Sequence, residues 1–315
     1  MTSVNERVVV ITGPTASGKE RLAFELAQRL DAEIISMDSM KVYREIEIAT
    51  AKPPPEHVSK VRFHLLGFVD PHEEFSTGAY LEHLEMTLRE LRSRRQQPIV
   101  AGGTALYLKG FLDGFRVGPD ADWELRNALL KQADAEGVDA LYRRLQREDP
   151  VAAEKINPTD LRRIVRALEI CDKTGRRASE AWTWGQSGDS SVNNRPERRV
   201  ELFGIEWERP LLYARINRRV EAMVRKGLFE EAERLATRKP PPSRSAAQSI
   251  GYKEIVDGMA RGLSRAEIAA RVQQGSRRFA KRQMTWFRKF PIHWISARES
   301  EDPRVWADEV LRALE

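Results

Sequence analysis

The chain has 315 residues, 41% of them hydrophobic and 32% charged, with a formal net charge of +6; it is long enough to bury a sizeable core as one large domain with an insertion or as two smaller domains. A single cysteine, Cys171, excludes an internal disulfide framework, and His57, His64, His72, His83 and His293 lack metal-ligand spacing, which argues against structural zinc. No run of eighteen apolar residues occurs, and residues 1–7 lack the apolar core of a secretory signal, so the expectation is a cytoplasmic protein with no membrane partner.

The first third alternates strand and helix patterns. A strand is expected over 7–12, a helix from Gly18 to Leu30, a strand over Glu33 to Ser36, a helix near 78–95, a strand over Pro98 to Ala101 and a helix from Ala105 to Leu112. That rhythm predicts an α/β fold, a parallel sheet with crossover helices. From Pro119 to Asn194 the pattern turns helical and charged and ends in the polar stretch Gly185 to Ser191, which reads as an inserted helical module. A strand candidate returns over Val200 to Ile205; the remainder reads as helical except for Pro240-Pro241-Pro242 and a short apolar segment over Ile292 to Ile295. The expected organisation is therefore a core of residues 1–118 and 199–315 with a helical insertion over 119–198.

Chemistry concentrates at three strand ends, where ligands gather in such sheets. The apolar strand Val8 to Ile11 runs into Gly13-Pro14-Thr15-Ala16-Ser17-Gly18-Lys19, a glycine-rich turn that opens a helix. Glycines at 13 and 18 let the backbone curl so that successive N–H groups and the helix N-terminus point at an anion, and Lys19 adds a mobile positive charge. The residue after such a lysine is usually Ser or Thr, whose hydroxyl serves magnesium or phosphate; here it is Glu20. A nucleotide hydrolase would also carry an acidic residue at the end of another buried strand, whereas Pro98 to Ala101 runs into Gly102-Gly103-Thr104, which argues against nucleotide hydrolysis. Asp38 closes the second strand, placed either to take a proton from a nucleophile or to cap a helix; position alone leaves both readings open. Gly102 to Thr104 supplies two flexible backbone positions and a hydroxyl, and equally reads as a turn with Thr104 as a helix cap.

Basic residues cluster twice. Arg162, Arg163, Arg166, Arg176 and Arg177 form one group; Arg277, Arg278, Lys281, Arg282, Arg288 and Lys289 form another, with Phe279, Trp286 and Phe287 between them. Charge interleaved with aromatic faces suits RNA, although solvated helix faces carry the same pattern. Cys171 ends an apolar run and reads as a core residue.

In order along nearly the whole chain, these motifs resemble those of the tRNA dimethylallyltransferases, the tRNA isopentenyltransferase or IPP transferase family: the loop from Gly13 to Lys19, Asp38-Ser39-Met40, Thr50-Ala51-Lys52-Pro53, Gly102-Gly103-Thr104, the string from Asn157 to Glu169, Ser249 to Glu254, and Ala280 to Arg288. The resemblance implies a P-loop NTPase-like parallel sheet core flanked by helices, with an inserted helical domain. It implies transfer of a dimethylallyl group from dimethylallyl diphosphate to the exocyclic N6 amine of the adenosine 3′-adjacent to the anticodon, in tRNAs reading codons that begin with U, with release of diphosphate. Carried onto matching positions, Gly13, Thr15, Ala16, Ser17, Gly18, Lys19 and Glu20 would hold the diphosphate. Asp38 would be the general base, Arg219 would stabilise the leaving group, and Thr104 would lie where tRNA and isoprenoid meet. Contacts to tRNA are implied at Asp38, Ser39, Met40, Lys41, Thr104, Arg126, Arg162, Arg163, Ile164, Val165, Arg166, Arg282, Gln283 and Trp286, with the insertion embracing the anticodon stem-loop. The resemblance further implies a monomer that uses Mg2+.

Four positions depart from the family pattern. Glu20 replaces Ser or Thr, Lys41 stands where Gln is usual, Ala49 precedes Thr50 where Gly is usual, and Gln274-Gly275-Ser276-Arg277 softens a Thr-Arg pair. A carboxylate at position 20 opposes a diphosphate unless it is bridged by magnesium, making Glu20 a metal ligand, or turned away to pair with an arginine. Two rival functions remain: a small-molecule phosphotransferase, with Lys19 on ATP and Asp38 activating an acceptor hydroxyl, and a non-catalytic RNA-binding relative. The first leaves the basic, aromatic C-terminal stretch unexplained; Glu20 keeps the second in play.

Overall fold

The computed structural model describes residues 6–114, 121–181, 198–298 and 302–315; the polar stretch Gly185 to Ser191 lies outside them. In chain order the elements are β1 (Glu6–Thr12), α1 (Lys19–Arg29), β2 (Ala32–Ser36), α2 (Pro55–Val58), β3 (Phe63–His64), α3 (Thr77–Ser93), β4 (Gln97–Gly102) and α4 (Ala105–Asp113). Then follow α5 (Trp123–Glu136), α6 (Val138–Glu148), α7 (Pro150–Lys155), α8 (Leu161–Thr174) and α9 (Ala178–Ala181). The chain continues through β5 (Arg198–Glu206), α10 (Arg209–Arg225), α11 (Leu228–Thr237), α12 (Tyr252–Ala260), α13 (Arg265–Phe287), β6 (His293–Ser296) and α14 (Pro303–Leu314). It divides into two compact units, Met1–Leu112 with Arg195–Glu315, and Asp113–Asn194.

The larger unit is built on one six-stranded sheet in the order β3-β2-β4-β1-β5-β6, every neighbouring pair parallel. β1 lies between β4 and β5, and Val8 to Ile11 are fully buried. A strand covered on both faces reads as a continuous apolar run, which explains why it shows no alternation. Val9 and Ile11 pack with Leu22 and Leu26 of α1 and with Trp306 and Val310 of α14; Val8 and Val10 point to the other face by the period-2 geometry of a strand. α3 contributes Tyr80, Leu84, Leu88 and Leu91, each fully buried, and its Tyr80 hydroxyl donates to the Ser36 carbonyl at 3.1 Å. Two strands were not expected as such: β3 is only two residues long, and the apolar segment near 292–295 is β6, the edge of the same sheet.

Register brings the functional loops level. Ser36 pairs with Ala101, and Thr12 pairs with both Gly102 and Gly204, so the chain leaves β1, β2, β4 and β5 along one edge. A second apolar cluster joins Val42, Tyr43 and Ile46 to Leu228 and Phe229 of α11 and to Ile255 and Ile268 beyond it. There the buried Glu231 carboxylate accepts the N–H groups of Glu47, Ile48 and Ala49 at 2.8–2.9 Å, which fixes the loop leading to Thr50.

The smaller unit is helical. Leu141 and Leu145 of α6 and Ile164, Val165, Leu168 and Ile170 of α8 form its core. Aspartates start three of its helices: Asp122, Asp149 and Asp160 accept the N–H groups of Leu125, Ala152 and Arg163. Glu169, fully buried, accepts two bonds from Arg126 (2.8 and 2.9 Å), one from Arg166 and one from the Asp122 N–H at 2.6 Å. Burial alone would push its carboxyl up; the hydrogen bonds of Arg126 and Arg166 outweigh it and hold the group below the usual carboxylate range.

Candidate active site

The loop between β1 and α1 has the backbone an anion cradle needs. Gly13 (φ 143°) and Gly18 (φ 97°) occupy the left-handed side of the map, and Ala16 joins them at φ 63°. A Cβ at Gly13 would stand 2.9 Å from both the Ile205 carbonyl and Ser17 Oγ, so the curl admits only glycine there. Gly18 starts α1 with no side-chain cap, and the helix N-terminus carries partial positive charge into the loop. No described residue takes the N–H of Ala16 or Gly18.

The cradle is braced from outside. Trp207 Nε1 donates to the Ser17 carbonyl at 2.8 Å, Arg215 Nε donates to the Ala16 carbonyl at 3.0 Å, and the Arg215 guanidinium stacks 4.1 Å above the Trp207 ring. Gln283, buried in α13, accepts the Thr15 N–H at 2.8 Å and donates to the Gly103 carbonyl at 2.8 Å. One amide thus ties the β1 loop to the β4 loop. Thr15 accordingly turns its N–H to Gln283, not to the cradle's interior.

Beside the cradle stand the ends of β2 and β4. Asp38 Oδ1 accepts the N–H groups of Met40 at 2.8 Å and Lys41 at 3.2 Å, and its second oxygen takes no bond from a described residue. The carboxylate is thus both things its position allowed, a cap for its own turn and an oriented acceptor with one open oxygen. Thr104 Oγ1 accepts the Ser39 N–H at 3.0 Å, and the Thr104 N–H donates to the Met37 carbonyl at 3.3 Å, which clamps the two strand ends together. This approach requires glycine at 102, where a Cβ would fall 2.0 Å from the Met37 carbonyl oxygen.

Cations converge on the cradle. Lys19 is buried and donates to the Pro14 carbonyl at 3.3 Å; burial, with Arg219 and Lys41 adding to it and Glu20 opposing, lowers its ammonium to about 8. Arg215, Arg218 and Arg219 lie at i, i+3 and i+4 on α10 and line an open pocket of about 300 Å3 with Ala16, Gly18, Lys19, Glu20 and Arg21. Glu20 pairs with Lys41, the side chain that replaces the family's glutamine. Burial would raise the Glu20 carboxyl, but Lys41, Lys19 and Arg219 together hold it below the usual range. The pairing partner is a lysine, neither the bridging magnesium nor the arginine set out as alternatives for Glu20. These residues do not fit magnesium: an ammonium already engages the Glu20 carboxylate, and two further cations face it. Among the described residues no group of three or more His, Cys, Asp or Glu side chains is placed to hold a metal.

The family model described as IPP transferase matches residues 41–290. The chain belongs to this family. A curated relative, the tRNA dimethylallyltransferase of Geobacter metallireducens, is 42% identical over 290 residues, which are 92% of each chain. The solved tRNA isopentenylpyrophosphate transferase of Bacillus halodurans is 35% identical and superposes with a TM-score of 0.69 over 98% of this chain and 97% of that one. A eukaryotic dimethylallyltransferase, described as acting on tRNA, gives a TM-score of 0.79 at 26% identity over 98% of this chain and 78% of its own. The P-loop-like parallel core expected from sequence is the fold these IPP transferases share with this chain.

Within this IPP transferase the implied RNA contacts separate into exposed and interior positions. Arg162, Arg163, Arg282 and Trp286 are exposed, and Ser39, Met40 and Thr104 are half-buried at the strand ends. Six implied contacts are buried or held by other side chains. Ile164 and Val165 lie in the helical core because α8 turns every third or fourth residue inward. Gln283 is buried with both ends of its amide occupied, and the Lys41 side chain is only 4% exposed, against Glu20. Arg126 and Arg166 are held by Glu169. The sequence reading missed Trp207 and Arg215 as braces. For Arg215 a signal existed, since it lies one helical turn from Arg219.

Proposed function

We infer that this chain transfers a dimethylallyl group from dimethylallyl diphosphate to N6 of the adenosine 3′-adjacent to the anticodon, in tRNAs reading codons that begin with U. The observation that carries the reading, given membership of the family, is the convergence on one sheet edge of an anion cradle, a carboxylate with one open oxygen and a hydroxyl clamp. Loop N–H groups, Lys19 and Arg219 take the diphosphate of the donor. As its charge is stabilised, the allylic C–O bond breaks, and N6 forms the new C–N bond. The amine proton passes to the open oxygen of Asp38, whose other oxygen is held by Met40 and Lys41. Thr104, fixed against Ser39, lies between donor and acceptor sides. The adenosine leaves its stack to reach these groups, and the exposed Arg162, Arg163, Arg282 and Trp286 grip the surrounding RNA. No described helix is long and apolar enough to cross a membrane, and the reaction is assigned to the cytoplasm, where tRNA resides. The family resemblance supports a protein that acts as a monomer.

The test is incubation with dimethylallyl diphosphate and an anticodon stem-loop bearing that adenosine, read by mass. The expected result is one dimethylallyl group on that base, with Asp38→Asn cutting the rate at saturation by about 10²–10⁴ while donor affinity is kept. No mass gain with the wild-type chain defeats the assignment; a normal saturated rate in Asp38→Asn removes Asp38 as the base.

A further inference from the structure

We propose that Lys41 is a positioning residue that acts through Glu20: it holds the carboxylate so that position 20 enters the donor site as half of an internal ion pair and not as a metal ligand. The inference rests on the donor-site reading above. Glu20 is the residue directly after the cradle lysine, in the first turn of α1, where a carboxylate is favoured by the helix N-terminus and competes with a diphosphate for the same positive end. Lys41 reaches it from the turn after β2. The two side chains are unequally placed: that of Glu20 is 35% exposed and lines the cation-rich pocket, whereas that of Lys41 is 4% exposed and is not among the pocket's lining residues. The lysine therefore touches the carboxylate from the interior side of the pocket.

Charge makes the arrangement consequential. With Glu20 and Lys41 neutralising one another, the charges of Lys19 and Arg219 are left for the diphosphate. Without the Lys41 ammonium, Glu20 would cancel one of them. A divalent cation on Glu20 would share the carboxylate with that ammonium and sit beside Lys19 and Arg219, so three positive charges oppose it. The Lys41 main chain has a separate task, donating its N–H to Asp38 Oδ1, and a side-chain substitution leaves that bond in place. Loss of the Lys41 side chain is thus expected to raise the KM for donor.

Titration calorimetry with inorganic diphosphate, in metal-free buffer and with magnesium, tests this on the wild-type chain, Lys41→Gln, Glu20→Gln and the double variant Glu20→Ser/Lys41→Gln. Lys41→Gln is expected to bind about tenfold or more weakly without metal and to gain more from magnesium than wild type does, because its freed carboxylate then accepts the cation. Glu20→Gln should keep the wild-type response to magnesium, since metal carried on the diphosphate's own oxygens is the same in both. The double variant should bind within about threefold of wild type, restoring what Lys41→Gln alone loses. Each magnesium response is a ratio within one protein, so partial unfolding of a variant cancels. Unchanged binding by Lys41→Gln, a double variant as weak as Lys41→Gln, or a magnesium response lost in Glu20→Gln overturns the inference while the donor site stands. A wild-type chain that binds no diphosphate overturns the donor-site assignment, and the inference with it.

Discussion

Lys19 shows how one buried charge ties binding to pH. Its ammonium titrates at about 8 in place of about 10.5 because burial disfavours the charged form and Arg219 and Lys41 add repulsion, against attraction from Glu20 and Asp38. Diphosphate binding uses the charged form, which is present below about pH 8 and lost above it. In calorimetry the affinity for inorganic diphosphate should therefore fall as pH rises through about 8, approaching tenfold per unit; a flat profile would remove Lys19 from the anion site. The linkage to stability has the opposite sign. Between about 8 and 10.5 the unfolded chain binds the proton that the folded chain has released, so this group's contribution to stability rises with pH across that window. The lysine itself was legible from its spacing to Gly13 and Gly18. Lys41 and Arg219 came to the site through the family resemblance alone, since they stand 22 and 200 residues further along the chain and only folding brings their charges to it.

At the level of elements, α13 performs two tasks on two faces. Its outward face carries Arg278, Lys281, Arg282 and Trp286, and its inward face carries Ala280, Gln283 and Phe287. Gln283→Ala should remove the bond between the loops after β1 and β4 and leave the Thr15 N–H and the Gly103 carbonyl without partners. A loss of about 2–3 kcal/mol in urea unfolding is expected, together with a raised KM for donor; an unchanged midpoint would show that the amide braces nothing. The element boundaries of the sheet core were readable because its strands are short apolar runs bounded by glycine and its helices carry a 3.6-residue period. β3 escaped notice because two residues form no pattern, and β6 because an edge strand of four residues reads the same as an apolar loop.

Across the whole molecule, both compact units carry exposed cations of the kind that neutralise RNA phosphates: Arg162 and Arg163 in the helical unit, Arg278, Lys281 and Arg282 in the sheet unit. Arg162→Ala/Arg163→Ala should weaken binding of the anticodon stem-loop and shallow the salt dependence of the affinity by about one unit of log–log slope for each phosphate no longer neutralised, with diphosphate affinity unchanged. An unaltered slope would take these arginines off the RNA surface. Arg126 and Arg166, although basic and in the same unit, are expected to respond differently, because substituting either disturbs the buried Glu169 and costs the unit stability.

What the sequence determined by itself is local: the apolar runs that must become buried strands, the glycines that permit a curled loop, the caps that start helices, and the motif order that marks the family. These follow from near-neighbour sterics and periodicity, which a chain carries wherever it goes. Tertiary structure alone decided which basic and polar residues face solvent and which turn inward, that Gln283 spans two loops, and that Glu20, an isolated anomaly in its own motif, is answered by Lys41. The reason is that charge pairing and desolvation depend on distance in space, and that distance is set by the register of β1, β2 and β4.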